Sequence, residues 1–179
     1  KQWNNGKGRA GSTGWANRNS AGGAPDYYDP NWKPHTNILI TGNYINQGAS
    51  AYACNGIYLC GVKDSVVEKN LLEHIGTCGI ELFFADNVAI QYNEVFDVRH
   101  KGGGQDSNAI DPDWRATNIL IQYNYVHDCG EGLLLCGMKF NSGIIRYNLI
   151  QDCLYSYVHY SMGGGYFQFS NNVFYRSKD

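Results

Sequence analysis

The stretch Ile119-Leu-Ile-Gln-Tyr-Asn124-Tyr-Val126 joins two short apolar strands through a single Asn. The same arrangement occurs six times along the chain, and each copy carries one Asn between strand-like segments. The six asparagines are Asn43, Asn70, Asn93, Asn124, Asn148 and Asn172, at spacings of 27, 23, 31, 24 and 24 residues. Repeats of this period are typical of solenoids, in which each repeat forms one turn.

Two columns of apolar residues run through the repeats. Three residues before the Asn stand Ile40, Val67, Ile90, Ile121, Ile145 and Phe169. Two residues after it stand Ile45, Leu72, Val95, Val126, Ile150 and Phe174. Equivalent positions of stacked strands point into the same core, so these columns predict that each repeat packs on the next. We expect the Asn to take the left-handed conformation at a corner, and its side chain to hydrogen-bond along the stack.

A third short strand lies between each loop and the next repeat, as in Gly79-Ile-Glu-Leu-Phe83 and Gly132-Leu-Leu-Leu-Cys136. The pattern predicts an all-β fold, a right-handed parallel β-helix of about six rungs with three short strands per rung. A leucine-rich repeat is the alternative at this period, but its characteristic frame is missing. We assign residues 37–179 to the β-helix and residues 1–36 to an irregular aromatic and Gly-rich loop or cap. Because solenoids need terminal caps and none follows the last rung, we expect a fragment of a longer solenoid.

Composition and charge exclude several classes of protein. The 14 Lys and Arg residues against 16 Asp and Glu give a formal charge of −2, unlike the basic surface of a nucleic-acid binder. The chain contains no apolar run long enough for a membrane helix and no leader-like segment at its start. The six cysteines lack the spacing of a zinc site, and we expect mostly free, buried thiols, with disulfides as the alternative.

Acidic residues interrupt the third strand of two adjacent repeats. Alternate residues of a strand face outward, and the alignment predicts an outward column of Tyr58, Glu81, Asp111, Leu134 and His159. Asp113 follows two residues after Asp111, and Glu131 approaches from the next rung. Crowded carboxylates raise the pKa of at least one member, which provides the acid and the base that glycosidic hydrolysis requires. Asp111, Asp113, Glu81 and Glu131 are therefore the candidate catalytic residues; solvated surface acids or a Ca²⁺ site are the alternatives.

The longest loop between regular repeats, residues 97–108, leads into this acidic strand. Long loops on a rigid scaffold commonly carry function. Arg99, His100 and Lys101 are candidates to contact a carboxylate or sulfate group on a sugar, and Asp106 adds another acid; the alternative is a flexible basic loop. We expect Trp114 to stack on a sugar face. The other candidate substrate contacts are Tyr58, Arg115, His127 and His159.

The segment from Asp106 to Cys136, with its Asp111-Pro-Asp113 and Tyr123-Asn-Tyr-Val-His-Asp128 motifs, resembles bacterial right-handed parallel β-helix proteins that act on carbohydrates. The resemblance covers roughly residues 35–179 and implies a glycoside hydrolase with paired Asp residues on an outer strand. The Gly-His-Gly and Arg-Ile-Lys motifs of polygalacturonases are missing. The Asp-Pro-Asp motif is also similar to the Asp-Pro-His-Glu box of alginate epimerases, but Asp113 and Trp114 replace its His and Glu.

These observations predict a secreted, periplasmic or cell-surface glycoside hydrolase that degrades a polysaccharide without a cofactor. One alternative is a polysaccharide lyase or uronate epimerase, with Ca²⁺ held by Glu81, Asp111 and Asp113. The other is a non-catalytic adhesin or fibre segment that binds carbohydrate. The expected partners are a polysaccharide or oligosaccharide and the rest of the same solenoid or other chains, with neither nucleic acid nor membrane.

Overall fold

Every regular element in the described part of the chain is a β-strand. The computed structural model describes residues 34–102, 106–138, 141–162 and 165–177, without the side chains of 136–138 and 160–162. The strands are β1 (His35–Thr36), β2 (Leu39–Thr41), β3 (Tyr44–Asn46), β4 (Ile57–Glu68), β5 (Leu71–Glu73), β6 (Ile80–Gln91), β7 (Glu94–Phe96), β8 (Asn108–Pro112), β9 (Ala116–Thr117), β10 (Ile119–Gln122), β11 (Tyr125–His127), β12 (Glu131–Met138), β13 (Ser142–Arg146), β14 (Leu149–Gln151), β15 (Tyr155–Met162), β16 (Tyr166–Ser170) and β17 (Val173–Tyr175). Within these ranges no helix is long and apolar enough to cross a membrane.

The strands form two parallel sheets that wind together. The first sheet has 11 strands, with the main order β15-β12-β8-β6-β10-β13-β16 and with β1, β2, β4 and β9 joined to it through β4 and β6. The second has 6 strands in the order β17-β14-β11-β7-β5-β3, one from each Asn repeat. The neighbours in this second sheet all pair in parallel. The predicted parallel β-helix is confirmed.

In two places, two strands that were predicted as separate form one continuous strand. β4 and β6 each span 12 residues and include the third strand of one rung and the first strand of the next. Each contains residues with positive φ, namely Gly61 (71°) and Asp64 (50°) in β4, and Phe84 (51°) and Asn87 (53°) in β6. The direction changes where the sequence pattern predicts, but strand pairing continues through the bend.

Both predicted inner columns are confirmed by the register. Ile90 pairs with Val67 in one neighbouring rung and with Ile121 in the other. Val95 is flanked in the same way by Leu72 and Val126. These side chains are 0–1% exposed. Full burial of one such side chain stabilises a fold by about 1.5–3 kcal/mol, so the columns are the main source of cohesion between rungs.

The six repeat asparagines form a continuous hydrogen-bonded ladder, as predicted. Asn93 Nδ2 donates to Asn124 Oδ1 at 3.0 Å, and the backbone N–H of Asn93 donates to the same oxygen at 3.0 Å. Asn93 Nδ2 also donates to the carbonyl oxygen of Val67 in the preceding rung, at 3.0 Å. Side-chain links of 2.9–3.0 Å connect all six residues, from Asn43 to Asn172. The amides therefore satisfy backbone groups that would otherwise be buried without partners.

The prediction that these asparagines adopt the left-handed conformation is wrong, because the residue before each of them does. These residues are Gly42 (φ 69°), Lys69 (54°), Tyr92 (56°), Tyr123 (54°), Tyr147 (55°) and Asn171 (55°). The Asn must aim both its N–H and its side-chain amide along the stack, so the preceding residue makes the turn. The rings of Tyr92, Tyr123 and Tyr147 stack on one another outside the corner, with centroids 5.1 Å apart.

Glycine is required where the chain enters the third strand. A Cβ at Gly79 would lie 2.5 Å from the carbonyl oxygen of Ala109 in the next rung and 2.7 Å from a methyl group of Val95. At Gly132 it would lie 2.6 Å from the carbonyl oxygen of Ser156. The backbones of neighbouring rungs approach closely here because there is no side chain between them.

The register of the last rung differs by one residue from the predicted alignment. β12 and β15 pair Leu133 with Tyr157, Leu134 with Val158 and Leu135 with His159. Tyr157 therefore takes the register position of the buried Leu133; its side chain is 51% exposed at the end of the stack, and its ring lies near those of Phe169 and Phe174. An aromatic ring thus replaces the aliphatic residue that the alignment had expected, and His159 does not belong to the outward column of Glu81 and Asp111.

The predicted division between residues 36 and 37 stays a prediction, because residues 1–33 lie outside the described part. Among the described side chains, no disulfide joins Cys54, Cys60, Cys78, Cys129 and Cys153, and three of them are buried. Those three are Cys78, Cys129 and Cys153.

We expect Asn124→Ala to lower the free energy of unfolding by about 2–4 kcal/mol, because it leaves buried donors of Asn93 without an acceptor. Asn43→Ala, at the exposed end of the ladder, should cost about 1 kcal/mol or less. Chemical denaturation of both variants and the wild type measures the difference. Equal losses for the two variants would show that the buried ladder is not a major source of stability.

Candidate functional site

The register brings the predicted outer residues together on the first sheet. β4, β6 and β8 lie side by side and pair Tyr58 with Glu81, and Glu81 with Asp111. Glu81 is half-buried, whereas Asp111 is only 2% exposed. The two carboxylates are therefore neighbours, as predicted, but the surface acid expected at Asp111 is a buried one.

Sequence reasoning missed the thiol beside these acids. The Sγ of Cys78 and one carboxylate oxygen each of Glu81 and Asp111 all lie within 4.8 Å of one another. The Cys78 thiol donates a hydrogen bond to Asp111 Oδ2 at 3.7 Å. We call these three residues the Cys78 site. The alignment of the third strands can be extended by two residues towards the N-terminus from the inner residue. This position is polar or a thiol in four repeats, where it holds Asn55, Cys78, Asn108 and Glu131, so the sequence contained a signal for Cys78.

Two asparagines of that column support the Cys78 site. Asn55 Nδ2 donates to Glu81 Oε2. Asn108 Nδ2 donates to Asp111 Oδ2 at 3.3 Å and lies 3.8 Å from Cys78 Sγ. Asn108 Oδ1 and Asp111 Oδ1 are buried and have no hydrogen-bond partner. Buried polar atoms without partners are rare, and two oxygens beside one site suggest that a ligand normally satisfies them.

The site belongs to a larger group of acids, which we call the acidic cluster: Glu81, Asp106, Asp111, Asp113 and Glu131. Burial, followed by the charge of Asp113, raises the pKa of Glu81 to about 7. Burial, followed by Asp113 and Glu81, also raises the pKa of Asp111 well above its usual range. The pKa values of Asp106 and Glu131 are raised as well, mainly by burial. Protons or a cation must therefore offset the negative charge at neutral pH.

The same environment acts on the neighbouring thiol and phenol. Burial and the charge of Asp111 raise the pKa of the Cys78 thiol. Burial, together with Cys60 and Glu81, raises the pKa of Tyr58. Without a cation, both groups are therefore neutral near pH 7, and Cys78 is not a reactive thiolate.

The basic loop residues have separate roles. Arg99 Nε pairs with Asp97 Oδ1 at 3.0 Å. Lys101 Nζ donates to the carbonyl oxygens of His74 at 2.9 Å and Gly48 at 3.3 Å, which ties the loop to neighbouring chain segments. His100 is exposed, and its charge acts on Asp106. Because Asp106 belongs to the acidic cluster, His100 is linked electrostatically to that cluster.

Trp114 and Arg115 form the turn after the acidic strand. Trp114 is half-buried, and its Nε1 is buried without a hydrogen-bond partner. Arg115 is buried in the left-handed conformation with φ 63°, and burial lowers its pKa to about 10. Their predicted contacts with sugar stay predictions.

The two histidines predicted to bind substrate are not brought to the cluster. His127 lies on the second sheet, stacked between Phe96 and Tyr125, with ring centroids 4.7 and 4.4 Å away. Its imidazole nitrogens contact Asp128 at 2.8 Å and Glu94 at 3.3 Å. His159 lies in register with Leu135, outside the outward column. His159 was predicted to belong to the outward column of the acidic strand, and that prediction is wrong because the register is shifted by one residue. His127 lies on the other sheet, and its contact with substrate stays a prediction.

For the metal-free protein, we expect the free energy of unfolding to fall as pH rises from about 4.5 to about 7. The folded state raises the pKa of Glu81 from 4.5 to about 7, so its stabilising effect is complete below pH 4.5 and is lost as pH passes through 7. The change from Glu81 alone is at most about 3 kcal/mol. Chemical denaturation across this range should give a shallower slope for Glu81→Gln than for the wild type. Asp64→Asn, which removes an exposed carboxylate, is the control, and an unchanged slope in Glu81→Gln would contradict the assignment.

Comparison with known proteins gives one family match. A family model described as NosD, periplasmic copper-binding protein, matches residues 19–179, which include every strand of the described part and the whole acidic cluster. No match to this chain is found among curated proteins or among solved structures. The family's location confirms the predicted secreted or periplasmic location. Because the match covers far more than half of the sequence, the chain belongs to the NosD family of β-helix proteins.

Proposed function

We propose that the protein binds a divalent metal ion at the Cys78 site, and that copper is its natural ion. The observation that carries this proposal is the meeting of a thiol and two carboxylates within 4.8 Å, beside two buried oxygens that have no partner. The family description names copper binding, whereas the sequence analysis expected no cofactor apart from Ca²⁺ in a lyase.

The donor set fits copper better than calcium. Ca²⁺ takes oxygen ligands only, whereas Cys78 offers sulfur between the two carboxylates. A thiolate is a soft ligand that suits copper or zinc, and the affinity order of divalent ions at sites of this kind places Cu²⁺ highest. The sequence predicted a Ca²⁺ site made of Glu81, Asp111 and Asp113. In the ligand set proposed here, Cys78 replaces Asp113.

The residues around the site prepare it for a cation. A bound ion of charge +2 would offset the carboxylates and displace protons from Cys78, Glu81 and Asp111, so binding should strengthen with pH. Asn108 and Asn55 orient Asp111 and Glu81 through their amide groups. Such supporting contacts hold ligands in place and tune their affinity.

Metal-free protein should bind one equivalent of Cu²⁺, and Cys78→Ser or Asp111→Asn should weaken binding by roughly 10- to 100-fold or more. Each substitution removes one of three donors. Isothermal titration calorimetry measures the affinity, and a thiolate-to-copper absorption band reports on Cys78. Zn²⁺ provides a redox-inert check on the same variants, and Ca²⁺ should bind more weakly than either.

Matched controls separate this site from ordinary surface acids and thiols. Cys54→Ser removes an exposed thiol, and Asp64→Asn removes an exposed carboxylate. Both should bind metal as the wild type does. The proposal is wrong if Cys78→Ser and Asp111→Asn retain wild-type affinity, or if Cys54→Ser alone abolishes binding.

The second candidate function is glycoside hydrolysis, and the observation that favours it is the carboxyl group of Glu81. It is half-buried, with its pKa raised to about 7, and the half-exposed Asp113 lies close enough to contribute to that shift. A carboxylic acid that is protonated at neutral pH, beside another carboxylate, is the arrangement that hydrolysis uses. Because Asp111 is buried, the acid of such a reaction would be Glu81 and its partner Asp113.

If the protein is a hydrolase, a panel of polysaccharides should yield reducing ends, and Glu81→Gln should lower the rate by at least about 100-fold. Asp64→Asn is the control and should leave the rate unchanged. An unsaturated product that absorbs in the ultraviolet and disappears on chelation would indicate the lyase or epimerase alternative. Binding of a glycan without any product would favour the non-catalytic alternative and contradict hydrolysis.

A further inference from the structure

Two buried cysteines face each other in consecutive rungs, away from the Cys78 site. Cys129 follows β11 and Cys153 follows β14, and these strands pair in parallel with His127 opposite Gln151. The register continues past the strands, since the N–H of Leu154 donates to the carbonyl oxygen of Cys129 at 3.0 Å. The two cysteines therefore hold the same position in successive turns.

Both side chains lie in the hydrophobic core, at 1% and 4% exposure. Earlier rungs place Ile75 and Val98 at the equivalent positions, and both are fully buried. Cysteine can fill such a position as a small apolar residue, but two thiols at the same position of neighbouring rungs also permit a reaction that Ile and Val do not.

We propose that Cys129 and Cys153 form a disulfide that joins two rungs of the solenoid in the periplasm. Adjacent strands lie about 4.8 Å apart, within the range of about 4.4–6.8 Å between the Cα atoms of disulfide-bonded residues. Both residues stand at a corner outside regular strands, where the backbone can adjust. The bacterial periplasm is an oxidising compartment in which such bonds form and persist.

The reaction is a thiol–disulfide exchange with a periplasmic protein that carries a reactive disulfide. The thiolate of Cys153 attacks one sulfur of that disulfide, which gives a mixed disulfide and releases one thiolate of the oxidant. Cys129 then attacks the sulfur of Cys153 and releases the second thiolate. The two protons lost by the cysteines go to the oxidant, which becomes a dithiol as the new S–S bond forms.

The surroundings suggest that Cys153 reacts first. The neighbouring Cys129 lowers the pKa of the Cys153 thiol, and burial raises the pKa of Cys129. The thiolate is the nucleophile in such exchanges. Cys60 and Cys136 pair in register with Phe83 and Tyr160, so neither has a cysteine opposite it there.

Tryptic peptide mapping of unreduced protein, exported to the periplasm and alkylated on lysis, tests the proposal directly. The bond should link the peptide of residues 116–139 to that of residues 147–176, and the link should disappear on reduction. Reduction should also lower the melting temperature by roughly 5–10 °C. The measurement uses the native chain, so it does not depend on whether a variant folds.

Variants assign the linked residues, because the first peptide also contains Cys136. Cys136→Ser should keep the link, whereas Cys129→Ala and Cys153→Ala should abolish it. Alkylation of both Cys129 and Cys153 in unreduced protein, or a link that survives in Cys129→Ala, would overturn the proposal. The metal site does not use these thiols, so loss of metal binding at Cys78 leaves this test unaffected.

Discussion

The hydrogen bonds between repeat asparagines fix the register on which the rest of the molecule depends. One side-chain oxygen accepts from both the backbone and the amide of the preceding Asn, at about 3 Å in the rungs measured. A shift of one residue would turn each strand over and move its apolar residues out of the core. Polar bonding thus specifies the alignment, and the apolar columns supply most of the free energy that stabilises it.

The parts of the fold that repeat could be predicted from the sequence. The columns through Ile90 and Val95 follow from spacing alone, because stacking places equivalent residues together. The conformation of the corner could not be predicted in the same way. Spacing does not report backbone angles, so the left-handed residue was expected at Asn124 and not at Tyr123. The last rung was misaligned because an aromatic residue, Tyr157, stands there at the register position that aliphatic residues hold in the other rungs.

The candidate site could likewise be predicted from the sequence only in part. The pairing of Glu81 with Asp111 follows from register and was predicted. Cys78 was missed because it stands just before the strand, where the alternation of inward and outward residues no longer applies. The burial of Asp111 was not predicted either, because an acidic residue at an outward strand position is expected to face solvent.

The ladder also has a consequence for how such a molecule can change. The ladder uses one Asn from each turn, so it does not depend on the number of residues between one Asn and the next. Asn70 and Asn93 are 23 residues apart, Asn93 and Asn124 are 31 apart, and both pairs meet at 3.0 Å. Insertions can therefore enter a loop at small entropic cost while the scaffold stays the same. The longest turn carries the loop of Arg99 and Lys101 and leads to Asp111. The residues of this turn, and with them the chemistry of the site, can therefore change while the other turns keep their structure.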